Sequence, residues 1–323
     1  MYCDTQILKH SISLSKDIFK VKNWQAYNLG LKQRGNITLW LSDSAIKGWL
    51  ETNHDKRRGR PLHYSDLAIT TCLTLRKVFH LGLRQCEGFI SGLFNMLKIN
   101  LSVPDYTLVC RRAAKLSINL SPLLDKSNGP IDIVVDSTGL KVYGEGEWKV
   151  RKHGAGKHRT WMKLHLGIDA SSQQIKVCEL TTNAVDDASA VKDLLTDLET
   201  DIRSFTGDGA YDKTKVRKIL PAGVKQIIPP QHNAVKSEGT KNYLTSRDEA
   251  ITKISEVGRK QWKIDNGYHK RSLVETTMFR YKTIIGGGLQ SRTLENQQAE
   301  AKISCSIINL MLQLAKPISI KIN

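Results

Sequence analysis

The chain has 323 residues, with 49 Lys or Arg against 31 Asp or Glu and a formal net charge of +18. That length holds two domains and at least one sizeable core, which excludes a small scaffold dependent on staples. The charge excess points to a polyanionic partner, most simply nucleic acid; a basic enzyme without such a partner is the plainer reading.

The six cysteines, Cys3, Cys72, Cys86, Cys110, Cys178 and Cys305, form no CxxC pair, which argues against a zinc ribbon or redox motif. Their scatter fits reduced thiols inside a cell. The opening MYCDTQILKH lacks the apolar centre of a signal peptide. The late run CSIINLMLQLA, interrupted by Asn309 and Gln313, is too short to span a bilayer. The expectation is a soluble, cytoplasmic protein with no membrane partner.

Residues 1–60 are polar and basic with weak periodicity, and end in HDKRRGRP. This run reads as a solvated linker or, beside DNA, as an extended segment whose Arg58 and Arg60 lie in a minor groove. From Tyr64 the texture is helical. YSDLAITTCLTLRKVF has Ser65 as a candidate N-cap, LRQCEGFISGLFNML repeats the pattern, and SVPDYTLVCRRAAKL carries Arg111, Arg112 and Lys115. Three short helices with a basic third fit a helix-turn-helix-like DNA-binding region over 61–128; an ordinary bundle with a solvated basic face fits equally. DKSNGP, residues 125–130, breaks the pattern and marks the expected boundary.

Beyond it, over 129–323, strands and helices alternate. IDIVVDST is a nearly continuous apolar run ending at an acid, suited to a central buried strand. HRTWMKLHLGID places Met162, Leu164, Leu166 and Ile168 on one face. QIKVCELTT follows through a short link that predicts a hairpin. DDASAVKDLLTDLE is an amphipathic helix, and IRSFTGDGAYD and VKQIIPP supply two more strands. The order β-β-β-α-β-α-β-α is that of an RNase H-like α/β fold, a mixed five-stranded sheet with flanking helices, here preceded by the mostly α-helical region.

Two acids fall at expected strand ends, Asp136 and Asp208. Each alone reads as a turn or cap residue; together they can share a divalent cation through oxygen ligands. Glycines 207 and 209 would let backbone and substrate approach closely. The stretch YHKRSLVETTMFRYK adds one acid, Glu275, among cations. Projected on one helix, Tyr268, Arg271, Glu275 and Lys282 fall within about 60° of one face. Val274, Met278, Tyr281 and Ile285 lie elsewhere, where they can pack on a sheet, and glycines 286–288 end the helix. Asp132, Asp169, Asp186 and Asp187 are rival acids, with Asp132 the first alternative because it shares a strand face with Asp136. His153, His158 and His165 read as part of a basic loop and strand contacting DNA rather than a metal site. Trp262 reads as a core residue ahead of a base acceptor.

Y-(2)-R-(3)-E-(6)-K is matched without a gap by Tyr268, Arg271, Glu275 and Lys282, and in these residues the chain resembles bacterial insertion-sequence transposases of the DDE type. VVDSTGLKVYGEGEW resembles the segment carrying that family's first Asp, and TGDGAYD the segment with its second. The likeness spans about residues 55 to 315. It implies Asp136, Asp208 and Glu275 as catalytic residues holding two Mg²⁺ ions, with Mn²⁺ as a substitute. It further implies Arg271, Lys282 and Tyr268 as DNA contacts, terminal inverted repeats and target DNA as partners, and a homodimer or higher oligomer on the DNA ends in a bacterial nucleoid.

Overall fold

The computed structural model describes residues 18–52, 61–120, 129–142, 161–237 and 242–322. Arg58 and Arg60, His153 and His158, and the first part of the expected boundary lie outside the described residues.

Where weak periodicity suggested only a polar segment, residues Trp24–Gln33 (α1), Ile37–Trp40 (α2) and Asp43–Lys47 (α3) are helical, preceded by Ile18–Val21 (β1). These helices are short, and the latter two are set by caps, Asn36 and Ser42, rather than by a long apolar stripe. Three further helices follow: Asp66–Val78 (α4), Leu83–Met96 (α5) and Tyr106–Ala113 (α6). Ser65 caps α4 by accepting from the Ala68 amide, and Asp105 caps α6 by accepting from Thr107. The three pack against one another around Ala68, Ile69, Cys72, Ile90, Phe94 and Val109.

The sheet is built from Ile131–Val142 (β2), Trp161–Asp169 (β3), Ile175–Thr182 (β4), Ile202–Thr206 (β5) and Lys225–Ile227 (β6), in the order β4-β3-β2-β5-β6. The β2–β3 and β3–β4 pairs are antiparallel, while β2–β5 and β5–β6 are parallel. This is the expected mixed RNase H-like arrangement, with one addition: Gly288–Leu289 (β7) pairs with the far end of β2. Asp187–Thr196 (α7) and Thr214–Ile219 (α8) cover one face of the sheet, where Ile133, Val135 and Phe205 point. Thr245–Asp265 (α9) leads to Ser272–Ile284 (α10), which packs Val274, Met278 and Tyr281 on the opposite face.

Leu294–Leu314 (α11) is buried over most of its surface and touches β4, α4, α6, α1 and α10, its second half being apolar nearly all round. One continuous core therefore joins α4–α6 to the sheet. Asn309, the polar interruption in the run CSIINLMLQLA, accepts from the Ile175 amide at 2.8 Å and donates to the Ile175 and Leu120 carbonyls. It satisfies backbone groups at the edge strand β4, where they would otherwise be buried and unpaired. Lys77 of α4 and Glu300 of α11 form a buried ion pair across the same junction. Ser319–Ile322 (β8) returns to pair with β1. Among the described residues no helix is long and apolar enough to cross a membrane.

Candidate active site

The sheet has a gap on one side of β2. Its partner β5 stops at the Val134–Thr206 pair, and β7 takes up the same edge only at Lys141. Asp136 sits in this gap. It is not at a strand end, as the apolar run suggested, but in the middle of a twelve-residue strand. What opens the strand there is the early end of its neighbour. Substrate crevices form for this reason at the carboxyl ends of strands. The chain leaving β5 brings Asp208 to the gap, and the chain entering α10 brings Arg271 and Glu275.

Asp136 accepts from the Ser137 amide at 2.8 Å through Oδ1 and from Arg271 Nη2 at 2.9 Å through Oδ2. Asp208 caps a single 3₁₀ turn, Gly209–Tyr211, by accepting from the Ala210 amide at 2.8 Å, and its other oxygen lies 3.8 Å from Arg271 Nη2. Glu275, in the first turn of α10 where the helix dipole favours an anion, takes the other arm of the fork, Arg271 Nη1. One guanidinium thus stands among three carboxylates. Their side chains are 15%, 35% and 52% exposed in the order Asp136, Asp208, Glu275, so Asp136 is the inner anchor and Glu275 the rim. Burial pushes the Asp136 carboxyl above its ordinary value, and Asp208 and Glu275 push the same way, while the Ser137 amide and Arg271 oppose them.

The Tyr-Arg-Glu-Lys stretch departs from the single helix expected of it. Gly267, with φ +64°, turns the chain, and Tyr268–Arg271 form a 3₁₀ turn before α10 begins. Arg271 and Glu275 still meet, and Tyr268, though on the 3₁₀ turn rather than the helix, stays close enough to Arg271, Asp208, Asp136 and Glu275 to feel their charges. It lies half-buried against Ile227, Ala250 and Trp262, with the Lys263 ammonium 5.0 Å from its ring centre. Lys282 is exposed on α10. Trp262 is a core residue, 4% exposed.

Several sequence readings change. Asp132 is held by Arg203 through both guanidinium arms, at 2.7 and 3.0 Å, and by Ser204. Arg203 brings its carboxyl down to about 2, so it is a paired acid rather than a fourth member of the site. His165 is fully buried, so it does not contact DNA: its Nε2 meets Thr181 Oγ1 at 2.9 Å, and burial lowers its pKa to about 4. Arg112 points inward and donates to the Tyr64 carbonyl and Asp66, whereas Arg111 and Lys115 are exposed. At Gly207 the Tyr211 ring would lie 2.9 Å from an added Cβ, so packing alone favours glycine there.

Sequence reasoning missed the support beneath Asp136. Ser137 points to the opposite sheet face and donates to Asp187 Oδ1 at 2.8 Å, and Asp187 lies 3.3 Å from Lys163. The buried Tyr211 closes the floor beside Asp208. The signal for Ser137 was adjacency alone, since a residue next to a strand acid must point to the other face.

The donor set suits a hard divalent cation, which takes carboxylate oxygens: three carboxylates surround one guanidinium, and among the described residues it is the one cation paired with all three. Among the described residues, no three His, Cys, Asp or Glu side chains are close enough as placed to grip an ion directly.

Two family models, each described as a transposase DDE domain, match the chain, one over residues 32–145 and the other over 127–310, more than half its length. A solved structure, the cryo-EM structure of piggyBac transposase synaptic complex with hairpin DNA, is similar at 11% identity, covering 88% of this chain and 74% of that one with a TM-score of 0.38.

Proposed function

The chain belongs to the DDE transposase family, whose members cleave DNA and transfer strands with divalent metal ions, and from that premise we propose that it is the transposase of an insertion sequence. It would bind the terminal inverted repeats, cut at the ends and join the freed 3′-OH to target DNA. The observation that supports this most directly is the convergence of Asp136, Asp208 and Glu275, from three separate elements, in the gap beside β2.

Asp136, Asp208 and Glu275 would hold two Mg²⁺ ions. When bound, such ions lower the pKa of an attacking water or 3′-OH and stabilise the departing oxygen. The chain's own residues do the rest. The Ser137 and Ala210 amides fix one oxygen each of Asp136 and Asp208, so both acids are oriented before substrate arrives. Arg271 presents a planar fork to a phosphate and Lys282 a point charge. Tyr268 supports the turn that carries Arg271 from its half-buried seat. The early end of β5 leaves the inner carboxylate reachable from solvent.

In this reading α4–α6 form the DNA-binding region of 61–128, with Arg111 and Lys115 on the exposed side of α6, and Arg58 and Arg60 reach the DNA from the preceding segment. Residues 129–323 carry the chemistry, and two or more copies act together on the paired ends in the bacterial cytoplasm.

The test is incubation of the full chain with Mg²⁺ and duplex DNA carrying the repeats that flank its gene, with cleavage mapped to the nucleotide. Cuts at the repeat boundary are expected, and none should appear with Asp136→Asn. Uniform nicking without regard to the repeats would rule the reading out.

A further inference from the structure

Arg271 occupies a peculiar place. Its Nη2 lies 2.9 Å from Asp136 and 3.8 Å from Asp208, while Nη1 binds Glu275. Those are the three carboxylates that the proposed reaction assigns to metal ions, and the guanidinium sits at the point they share. Its Nε is buried without a hydrogen-bond partner among the described residues, so their contacts here do not satisfy the whole group. A residue placed only to bind phosphate would point outward, as Lys282 does.

The geometry points to Arg271 as a resident counter-ion of the carboxylate site, a positioning residue that gathers the three acids in the metal-free enzyme and must withdraw for metal ions to enter. This rests on the reading of the three acids as a metal site. The physical grounds are charge and space. A carboxylate trio without a cation repels itself, and among the described residues the Arg271 guanidinium fork lies within ion-pair distance of all three. A divalent ion needs the same oxygens at about 2.0 to 2.6 Å, and it repels the guanidinium standing among them. The two cations therefore compete.

Competition links the metal to the DNA. A backbone phosphate that draws Arg271 outward frees the carboxylates, and metal binding frees Arg271 for a phosphate. By reciprocity each raises the affinity of the other by the same factor. The enzyme then fills its centre on DNA in preference to free solution, which keeps a DNA-cutting site quiet until a strand is seated.

The test is Mn²⁺ binding by the full chain without DNA, with free Mn²⁺ read from its paramagnetic resonance signal. Arg271→Gln is expected to bind Mn²⁺ about tenfold more tightly than wild type, since a competing charge at contact range has gone. Arg271→Lys keeps a charge but lacks the fork, so it binds more tightly by a smaller factor, about threefold, and serves if the Gln variant fails to fold. Asp136→Asn is expected to lose most of the binding. Unchanged or weaker binding in both Arg271 variants, with binding still lost in Asp136→Asn, overturns the counter-ion role alone. Unchanged binding in Asp136→Asn overturns the metal-site reading, and this proposal with it.

Discussion

Asp208 and Asp212 lie one turn apart in the chain and both meet arginine, yet their surroundings differ in kind. Asp212 is a single acid between two guanidiniums: Oδ1 accepts from Arg217 at 2.9 Å and from Arg247 at 3.2 Å, and Oδ2 accepts from the Gln231 amide. Arg217 is 1% exposed, burial lowers its pKa, and it also donates to Gln226 and to the Ile228 carbonyl. Asp212 and Arg217 are both sealed at 1% exposure, and each Arg217 nitrogen has a protein partner. At Asp208 the count is reversed, with three acids to one arginine and an outer carboxylate half exposed. The same pair of functional groups makes a buried strut in one place and an open, acid-rich cluster in the other. Charge balance and access to solvent tell them apart.

The sharpest way to break this contrast is to neutralise one acid from each cluster. Asp208→Asn should lower end cleavage by at least ~10³-fold while leaving the melting temperature nearly unchanged, because it relieves repulsion among carboxylates. Cleavage within tenfold of wild type would remove Asp208 from the site. Asp212→Asn should act the other way round. It leaves two guanidiniums without their carboxylate, at a cost of ~3–5 kcal/mol, so the melting temperature should fall by ~10 °C. If Asp212→Asn melts like wild type yet cannot cleave, Asp212 belongs to the reactive cluster.

A smaller effect separates the two faces of β2. His165 lies beneath Ser137 with Asp187 3.7 Å away and Lys163 on its own strand, and burial holds its pKa at about 4 against 6.5. Above pH 6.5 the ring is neutral in folded and unfolded chains alike and contributes no slope. Between 6.5 and 4 the unfolded chain binds a proton that the folded one refuses, so stability falls as pH falls, by up to ~3 kcal/mol. Melting curves of His165→Gln should lose that part of the acid slope. An unaltered slope would mean that His165 is protonated in the fold.

The least effect belongs to Lys282, exposed on α10 beyond the cluster. Lys282→Ala should weaken end binding several-fold and reduce the salt slope by about one unit, with melting and Mn²⁺ affinity unchanged. A shift in Mn²⁺ affinity would place Lys282 inside the cluster instead of outside it.

How much of this was legible depended on the range of the interaction. Ser65 was readable as a cap because a cap is decided within a few residues. The alternation of β3 was readable because one face meets the core and the pleat has period two. Arg112 was read as a DNA contact because a basic side chain on a short helix is solvated by default. Its inward turn depends on Asp66 and the Tyr64 carbonyl, far away in sequence. Likewise, nothing local to His165 announces that α7 covers it.

The sequence by itself carried the cation excess, the order of the main strands and helices after residue 129, and the nomination of Asp136, Asp208 and Glu275, since each depends on composition, short-range periodicity or motif spacing. Only the tertiary structure decided what those acids face. The length of β2 beyond the end of β5 opens the gap, the 3₁₀ turn at Tyr268 swings Arg271 into it, and the sealed pair of Asp212 and Arg217 stands beside it. Each of these rests on strands or turns meeting across long stretches of chain. Whether an arginine neutralises one carboxylate or is shared among three is set by that meeting, because electrostatic energy depends on distance and burial rather than on order along the chain.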